Sequence, residues 1–560
     1  MTSPYRDIPV TGDLEHQMHH YTDKEEYDRL LPAAIEIRDP LPTSFPKNTD
    51  TKYLDGLRGL FAVFVYVHHF IAAFTIDTEL GFGWEGNYYI TTLPFIRLPW
   101  SSGGPVGVAV FFILSGYVLS VGTLRKLKST KTRDARRGIV SALIRRPLRL
   151  YIPCMLVSLT VALLLQVPGF LLDENFSVPQ PTLGAQLYDW WWSTIDYLSL
   201  MRDHVPGGYF YNGPVWTLPI ELKGSILVYS VLTVLSLGVS GVDYRVPHMM
   251  ALFIFGCAAI MLQMRWKWTM VLSLFGLVLA ILDVWPLESR FSEKSMSQTT
   301  LLDRTPLLPQ VSRLLQKLLK ATSIGAQKPL RRGTLLVARV IPRPWLERLA
   351  SSSQDEKMMV PDRRESNTLA IVVFFIGWYI ISIPSIPDHR EVALGTPGYR
   401  WLTRMTPPNY LDFEYFRYWQ AWGSFMIIWS IMRLPWLQRL FMLKPLQFCG
   451  RISFMLYLTH MPYFRTLPGR LVGLFGGHVN EALKGTFWDG TLAFPDAGPK
   501  GLSSRFLLCL TITLPINMII AKYAIRVIDQ PGVKLGRWIT ETIGLDQRKP
   551  KKQEVIVLPK

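Results

Sequence analysis

The chain has 560 residues, of which 49% are hydrophobic and only 18% are charged, and its mean hydropathy is positive. This composition all but excludes an ordinary water-soluble globule of that length. Lysine and arginine outnumber aspartate and glutamate by 60 to 42, which gives a net charge of +18. Such an excess is expected of a nucleic-acid-binding protein, of a protein on an anionic membrane surface, or of a membrane protein with basic loops.

A membrane-spanning helix needs about 20 mostly apolar residues to cross the hydrocarbon core. Ten segments of the chain meet this requirement and are candidate membrane spans. They cover approximately 54–74, 104–122, 150–167, 214–238, 247–264, 269–285, 369–386, 417–433, 446–463 and 506–525. The first fifty residues lack the basic and apolar regions of a signal peptide, so we expect an internal span to direct insertion. The sequence therefore predicts an all-α, polytopic membrane protein.

Ten spans place both termini on one side of the membrane. If that side is the cytoplasm, the inner segments after the N-terminal tail hold three times as many lysines and arginines as the outer segments. This distribution follows the positive-inside rule and predicts cytoplasmic termini. It also argues against nucleic-acid binding, because the basic residues follow the topology and form no single exposed patch. The sequon at Asn175 falls in an outer segment, where it is a candidate for glycosylation.

The spans divide the chain into five parts. Residues 1–53 form a polar cytoplasmic tail, 54–285 hold spans one to six, 367–525 hold spans seven to ten, and 526–560 form a basic cytoplasmic tail. Between the two sets of spans, the basic and polar composition of 286–366 predicts a disordered cytoplasmic insertion. The four cysteines lie far apart without a C-x-x-C pair, which excludes a zinc ribbon, and we expect no bound metal.

Ionisable residues inside the spans are the candidate functional residues, because each costs a few kcal/mol or more at bilayer depth. Arg58 and His69 in the first span are eleven residues apart, which at about 100° per residue places them on one helical stripe. His68 points elsewhere and is the poorer candidate. An alternative reading is structural, with a histidine hydrogen-bonded between helices and an arginine reaching the lipid phosphates.

Three further stretches carry polar residues. Arg146 and Arg149 share a helix face at the start of the third span, where they suit phosphate binding, although basic residues are expected at a cytoplasmic helix end in any case. Glu221 in the fourth span has no facing cation in its own helix, so we expect it to point into the bundle. The ninth span contributes Tyr457 and His460, for which interhelical hydrogen bonding and function are equally plausible.

Taken together, these stretches resemble the acyltransferase 3 family of multi-span membrane O-acyltransferases, and its fungal members in particular. The resemblance is carried, in the order of the family, by five elements. They are Leu54–Gly59 with His69 as the arginine-x10-histidine signature, Phe111–Tyr117, Arg146-x-x-Arg149, Trp216–Glu221, and Gly450–His460. The resemblance also implies a bundle of ten spans. The insertion at 286–366 is long for the family core, and we expect no appended esterase domain.

The resemblance implies transfer of an acyl group, acetyl in the simplest case, from acyl-coenzyme A to a hydroxyl, with no bound cofactor. On this hypothesis His69 is the general base, with Glu221 orienting it or the acceptor. Arg58, Arg146 and Arg149 hold the phosphates of the acyl-coenzyme A. The other candidates for lining the substrate site are Asp55, Ser115, Tyr117, Trp216, Tyr457 and His460. For Ser115 the packing of two helices is the competing interpretation.

The acceptor is expected to be a hydroxylated small molecule, such as a terpenoid or polyketide alcohol, or else a sugar or glycolipid. The endoplasmic reticulum or another endomembrane is the expected location, with the plasma membrane as an alternative. The competing hypothesis is a proton-coupled transporter or a lipid-handling membrane protein without chemistry, because buried Arg, His and Glu also suit a carrier. Release of free coenzyme A distinguishes an enzyme from a carrier. No obligate protein partner is expected.

Overall fold

The computed structural model describes residues 51–75, 77–172, 178–202, 208–238, 245–264, 268–285, 364–410 and 414–545. Within these ranges the regular structure is entirely helical, which confirms the predicted all-α class. Asn175, almost all of the N-terminal tail, most of the insertion at 286–366 and the end of the C-terminal tail lie outside the described residues.

The helices are numbered here in chain order. They are α1 Lys52–Ile71, α2 Gly103–Lys128, α3 Thr132–Leu165, α4 Leu183–Leu198, α5 Thr217–Gly238, α6 Arg245–Gln263, α7 Trp268–Val284, α8 Arg364–Ile381, α9 Arg390–Gly395, α10 Arg400–Arg404, α11 Tyr415–Ile431, α12 Pro435–Phe441, α13 Lys444–Phe464, α14 Leu467–Leu474, α15 Ser504–Ala524 and α16 Gln530–Thr542. Short 3-10 turns lie at Trp84–Gly86, Ile90–Thr92, Gly213–Trp216, Pro408–Tyr410 and Glu481–Leu483, and π-helical turns at Leu98–Ser102 and Ile525–Asp529.

Each of the ten predicted spans overlaps one of these helices. In the described part of the chain, six helical segments are long and apolar enough to cross a membrane. They are Lys52–Ile71, Leu98–Lys128, Thr132–Leu165, Gly213–Leu237, Val246–Gln263 and Ser504–Thr542. The protein is therefore a helical, multi-pass membrane protein, while the full count of ten and the side of the termini stay predictions.

The third helix is much longer than the span predicted at 150–167. It has 34 residues, and at about 1.5 Å per residue it exceeds the thickness of about 30 Å of a hydrocarbon core. The sequence placed the start of the span near residue 150, but the helix begins at Thr132 and continues through Pro147 and Pro153. Arg146 and Arg149 consequently lie in the middle of α3, well away from its first turn.

The predicted C-terminal tail also begins as a helix. The π-helical turn Ile525–Asp529 connects α15 directly to α16. Helix α16 packs against α3, with Gly532 near Ile152 and Gly536 near Arg145. Only the part of the tail beyond residue 545 lies outside the described residues.

Helices α1 and α13 cross at two glycines. A Cβ atom on Gly59 would overlap the backbone of Gly450, and a Cβ atom on Gly450 would overlap the carbonyl of Asp55. Small residues at such a crossing let two membrane helices approach closely. Further along the same pair, His69 meets His460 and Phe70 meets Phe464, so the two helices run in the same direction.

The apolar side chains of the bundle form two main clusters. One is centred on α2, α5, α7 and α11, the other on α3, α13 and α15, and α1 contributes to both. Phe111 on α2 and Trp216 at the start of α5 pack against both clusters. The polar residues described next lie where the two clusters adjoin.

Candidate active site

An open pocket with a cavity volume of about 150 Å³ lies between five helices, α1, α2, α3, α5 and α13. Its apolar wall comes mainly from α2, with Phe111 and Phe112, and from Phe454 on α13. Its polar lining contains six residues that the sequence singled out, namely Arg58, Ser115, Arg146, Arg149, Glu221 and Tyr457. Thr217 and Ser453 complete the polar lining.

The side chains along one face of α2 show where the pocket opens, because their exposure increases along the helix. Val108, Phe111, Ser115 and Val118 line the pocket at intervals of three or four residues, so they share one helix face. Val108 is 9% exposed and Val118 is 54% exposed. The pocket therefore opens toward the basic C-terminal end of α2, which carries Arg125, Lys126 and Lys128. In the predicted orientation this end is cytoplasmic.

Arg146 and Glu221 form an ion pair at the centre of the pocket. The Arg146 Nη2 lies 2.6 Å from the Glu221 Oε1 and donates a second hydrogen bond of 2.5 Å to the Ser115 Oγ. The Arg146 Nε donates to the Ser225 Oγ at 2.5 Å, and the Ser225 hydroxyl donates to the carbonyl oxygen of Glu221. Glu221 thus points into the bundle, as the sequence predicted, and this network fixes the Arg146 guanidinium against α2 and α5.

The positive charges of the other two arginines of the pocket are balanced less fully by nearby carboxylates. Arg58 has Asp55, an exposed residue one turn earlier in α1, at 3.5 Å from its Nη1. In the part of the chain that the structure describes, Arg149 has no carboxylate within the 4.0 Å of an ion pair. With three arginines and one glutamate, the lining carries a net charge of +2. The pocket therefore attracts anions.

The inner wall of the pocket is held by hydrogen bonds between α13 and the start of α5. The Tyr457 hydroxyl donates to the carbonyl oxygen of Pro214 at 2.5 Å and lies 2.8 Å from the Thr217 Oγ1. One residue along α13, the carbonyl oxygen of Leu458 accepts a hydrogen bond of 2.9 Å from the Asn212 side chain. These bonds tie the two motif-bearing segments together.

His69 does not line the pocket but lies beyond its inner wall. Its ring is 5.2 Å, between centroids, from the ring of His460, which in turn bonds through Nδ1 to the carbonyl oxygen of Tyr457 at 2.7 Å. His68 precedes His69 in α1, with the two ring centroids 5.0 Å apart, and packs against Gly104. Arg58 and His69 share α1, and only the arginine reaches the pocket.

Four predicted lining residues do not line the pocket. They are Asp55 and His460, described above, and Tyr117 and Trp216. Tyr117 is 1% exposed, and its hydroxyl donates to the Asp283 Oδ2 on α7 at 2.9 Å. Trp216 packs between the two apolar clusters, with the guanidinium of Arg417 6.0 Å from its ring centroid. Ser115 combines both interpretations, because its hydroxyl bonds to Arg146 while the adjacent Gly116 packs against the backbone of Ser273.

Sequence reasoning missed Ser225, which supports the Arg146 guanidinium. The available signal was its position four residues after Glu221, because residues spaced by four share a helix face. A serine there gave no reason to prefer it over other small polar residues in α5. Among the described residues, no group of three His, Cys, Asp or Glu side chains is placed to hold a metal ion.

Comparisons with known proteins give a consistent result. Residues 51–296 match a family model described as an acyltransferase domain. The chain is 23% identical to the O-acetyltransferase PaAT-1 of Phomopsis amygdali over 541 residues, covering 90% of this chain and 87% of the relative. It is 22% identical to the acyltransferase clz18 of Cochliobolus lunatus and 23% identical to the acyltransferase R4 of a Phoma species, covering 76% of this chain and 84% of each relative. No solved structure matches the chain.

Proposed function

We propose that the chain is an O-acyltransferase of the acyltransferase 3 family, a proposal that the matched acyltransferase domain and the relatives support, and that it moves an acyl group from acyl-coenzyme A to a hydroxyl of a small molecule. Acetyl is the simplest acyl group, and the relative from Phomopsis amygdali has the name of an O-acetyltransferase. The proposed acceptor is a terpenoid or polyketide alcohol, with a sugar or glycolipid as the other candidate.

The observation that carries the proposal is the open, net positive pocket between α1, α2, α3, α5 and α13. Arginine binds phosphate through paired, charge-assisted hydrogen bonds. Arg146 is already paired with Glu221, so Arg58 and Arg149 are the cations that remain to hold the phosphates of a coenzyme A thioester. The mouth at the basic end of α2 suits a donor that arrives from the cytoplasm.

The proposed base is His69, past the inner wall of the pocket. It would accept the proton of the acceptor hydroxyl while the oxygen forms a bond to the thioester carbonyl carbon. The carbon–sulfur bond then breaks, and His69 returns the proton to the leaving thiolate. Because His69 and the pocket mouth lie on opposite sides of the Thr217–Tyr457 wall, donor and acceptor would approach the wall from opposite directions.

The experiment uses membranes from cells that express the full chain. They receive acetyl-coenzyme A with a panel of terpenoid alcohols, polyketide alcohols, sugars and glycolipids, and both free thiol and acylated product are measured. We expect His69→Ala to lower turnover by about 10²-fold or more without lowering protein abundance. The control is His389→Ala, since that side chain is 61% exposed. Normal turnover by His69→Ala contradicts the assignment.

A further inference from the structure

The protonation of His460 is fixed by its own helix. Its Nδ1 lies 2.7 Å from the carbonyl oxygen of Tyr457, and because a carbonyl oxygen only accepts, the Nδ1 carries the hydrogen. In the neutral imidazole the Nε2 is then an acceptor. The side chain is 1% exposed, and within the described residues its Nε2 has no hydrogen-bond partner. A buried acceptor in this state costs free energy unless a donor reaches it.

Among the described aromatic rings in contact with His460, only the ring of His69 can offer a ring N–H. The centroids of the two imidazoles are 5.2 Å apart, and their planes are inclined by 30°. The other aromatic rings close to His460, those of Tyr457 and Phe464, offer no ring N–H. The two rings are thus neighbours, and a hydrogen bond of about 2.9 Å between their nitrogens requires a rotation of the His69 side chain.

The backbone fixes this pairing. Gly59 and Gly450 hold α1 and α13 in contact, and His69 and His460 each lie ten residues further along their own helix. Because the helices run in the same direction, equal offsets bring the two side chains to the same height. On the other side of His460, the hydroxyl of Tyr457 is anchored to Pro214. The imidazole of His460 is therefore a rigid reference point for His69.

We propose that His460 is a positioning residue, whose Nε2 accepts a hydrogen bond from one ring nitrogen of His69 and so directs the other ring nitrogen at the acceptor hydroxyl. The inference rests on the proposed role of His69 as the base. In other acyl-transfer sites a third residue, beside the nucleophile and the general base, orients the base, and His460 would have that role here. When His69 takes up the proton, the hydrogen bond to His460 becomes charge-assisted and stronger.

Two substitutions of His460 test the roles of its two ring nitrogens separately. In His460→Asn the amide can replace the Nδ1–H toward Tyr457 but leaves nothing at the Nε2 position. In His460→Gln the longer side chain can place its carbonyl oxygen where Nε2 stood. We expect Asn to lower kcat by about 10²-fold with the KM values for both substrates within about threefold of wild type, and Gln to recover kcat to within about tenfold of it.

The measurement is acetyl transfer in membranes containing the full-length variants, after their abundance and thermal stability have been matched to wild type. A Gln variant as poor as the Asn variant, or an Asn variant that chiefly raises the KM for the acceptor, overturns the positioning role. The matched control is His68→Asn, at the residue before His69. If that change alone lowers kcat and His460→Asn does not, the partner of His69 is His68 and the inference is wrong.

The same set of variants distinguishes this inference from the proposed function. If His69→Ala keeps full turnover, the assignment of the base fails, and the inference fails with it. If His69→Ala is inactive while His460→Asn is fully active, only the inference fails.

Discussion

His69 and His460 each follow, by ten residues, the glycine at which their two helices touch. The contact between Gly59 and Gly450 leaves no room for a methyl group, so the height of one histidine relative to the other is set about 15 Å away. Two motifs separated by almost four hundred residues in the sequence are thus aligned by backbone contact.

This crossing predicts a strong effect for a single methyl group. Gly450→Ala should destabilise the protein by about 1–3 kcal/mol or more, because the added Cβ meets the Asp55 carbonyl and the helices must separate. Thermal unfolding of the detergent-solubilised protein measures the loss. Gly122→Ala is the control, since a Cβ there meets no atom within 4 Å. Equal stability of the two variants would contradict the close crossing.

The Arg146–Glu221 pair predicts non-additive kinetics. Arg146→Ala and Glu221→Ala should each lower kcat/KM by about 10²-fold, because either change leaves a partly buried charge without its partner. The double variant should be no worse than the poorer single variant, since both substitutions disrupt one network. A double-mutant cycle on acetyl transfer measures the coupling, with the exposed Arg137→Ala on the same helix as control. Additive losses would show that the two side chains act independently.

Arg149 is expected to act on donor binding. Arg149→Ala should raise the KM for acetyl-coenzyme A by about 10- to 100-fold, the range of a hydrogen bond to a charged group, and leave the KM for the acceptor unchanged. Repeating the assay with the acetyl thioester of 3′-dephospho-coenzyme A locates the contact, because the effect disappears with this donor if Arg149 holds the 3′-phosphate. Arg137→Ala is again the control. A rise in the acceptor KM alone would argue against the phosphate role.

Ser115 and Tyr117 are two residues apart on α2 and should respond differently. Ser115→Ala removes a hydroxyl that bonds to Arg146 and should lower kcat/KM by about tenfold. Tyr117→Phe removes the bond to Asp283, outside the pocket, and should cost about 1 kcal/mol of stability with little change in turnover. Parallel assays of turnover and thermal stability test both expectations. A Tyr117→Phe variant that is stable but inactive would place that hydroxyl in the reaction.

The sequence predicted the positions of the helices well, because long apolar runs and a few charged interruptions are local signals. It also predicted that Glu221 points into the bundle. The partner of Glu221 could not be derived, since the arginines near a cytoplasmic helix end look alike until α3 is seen to continue through Pro147.

The same limit applies to the aromatic and small polar residues. Tyr117 and Tyr457 are both tyrosines in motif-bearing spans, yet one hydroxyl meets Asp283 and the other lies on the pocket wall. Which neighbour a side chain meets depends on the rotation of its helix in the bundle. Hydropathy along a single sequence carries little information about that rotation.

The composition of the pocket also shows which part of the chain is needed to complete it. Four walls come from helices inside residues 51–296, but the fifth, with Ser453, Phe454 and Tyr457, belongs to α13, beyond the match to the family model and beyond the insertion. Neither portion encloses the site alone. The proposed active site is therefore assembled from two separate stretches of one polypeptide, which meet where the glycines of α1 and α13 are in contact.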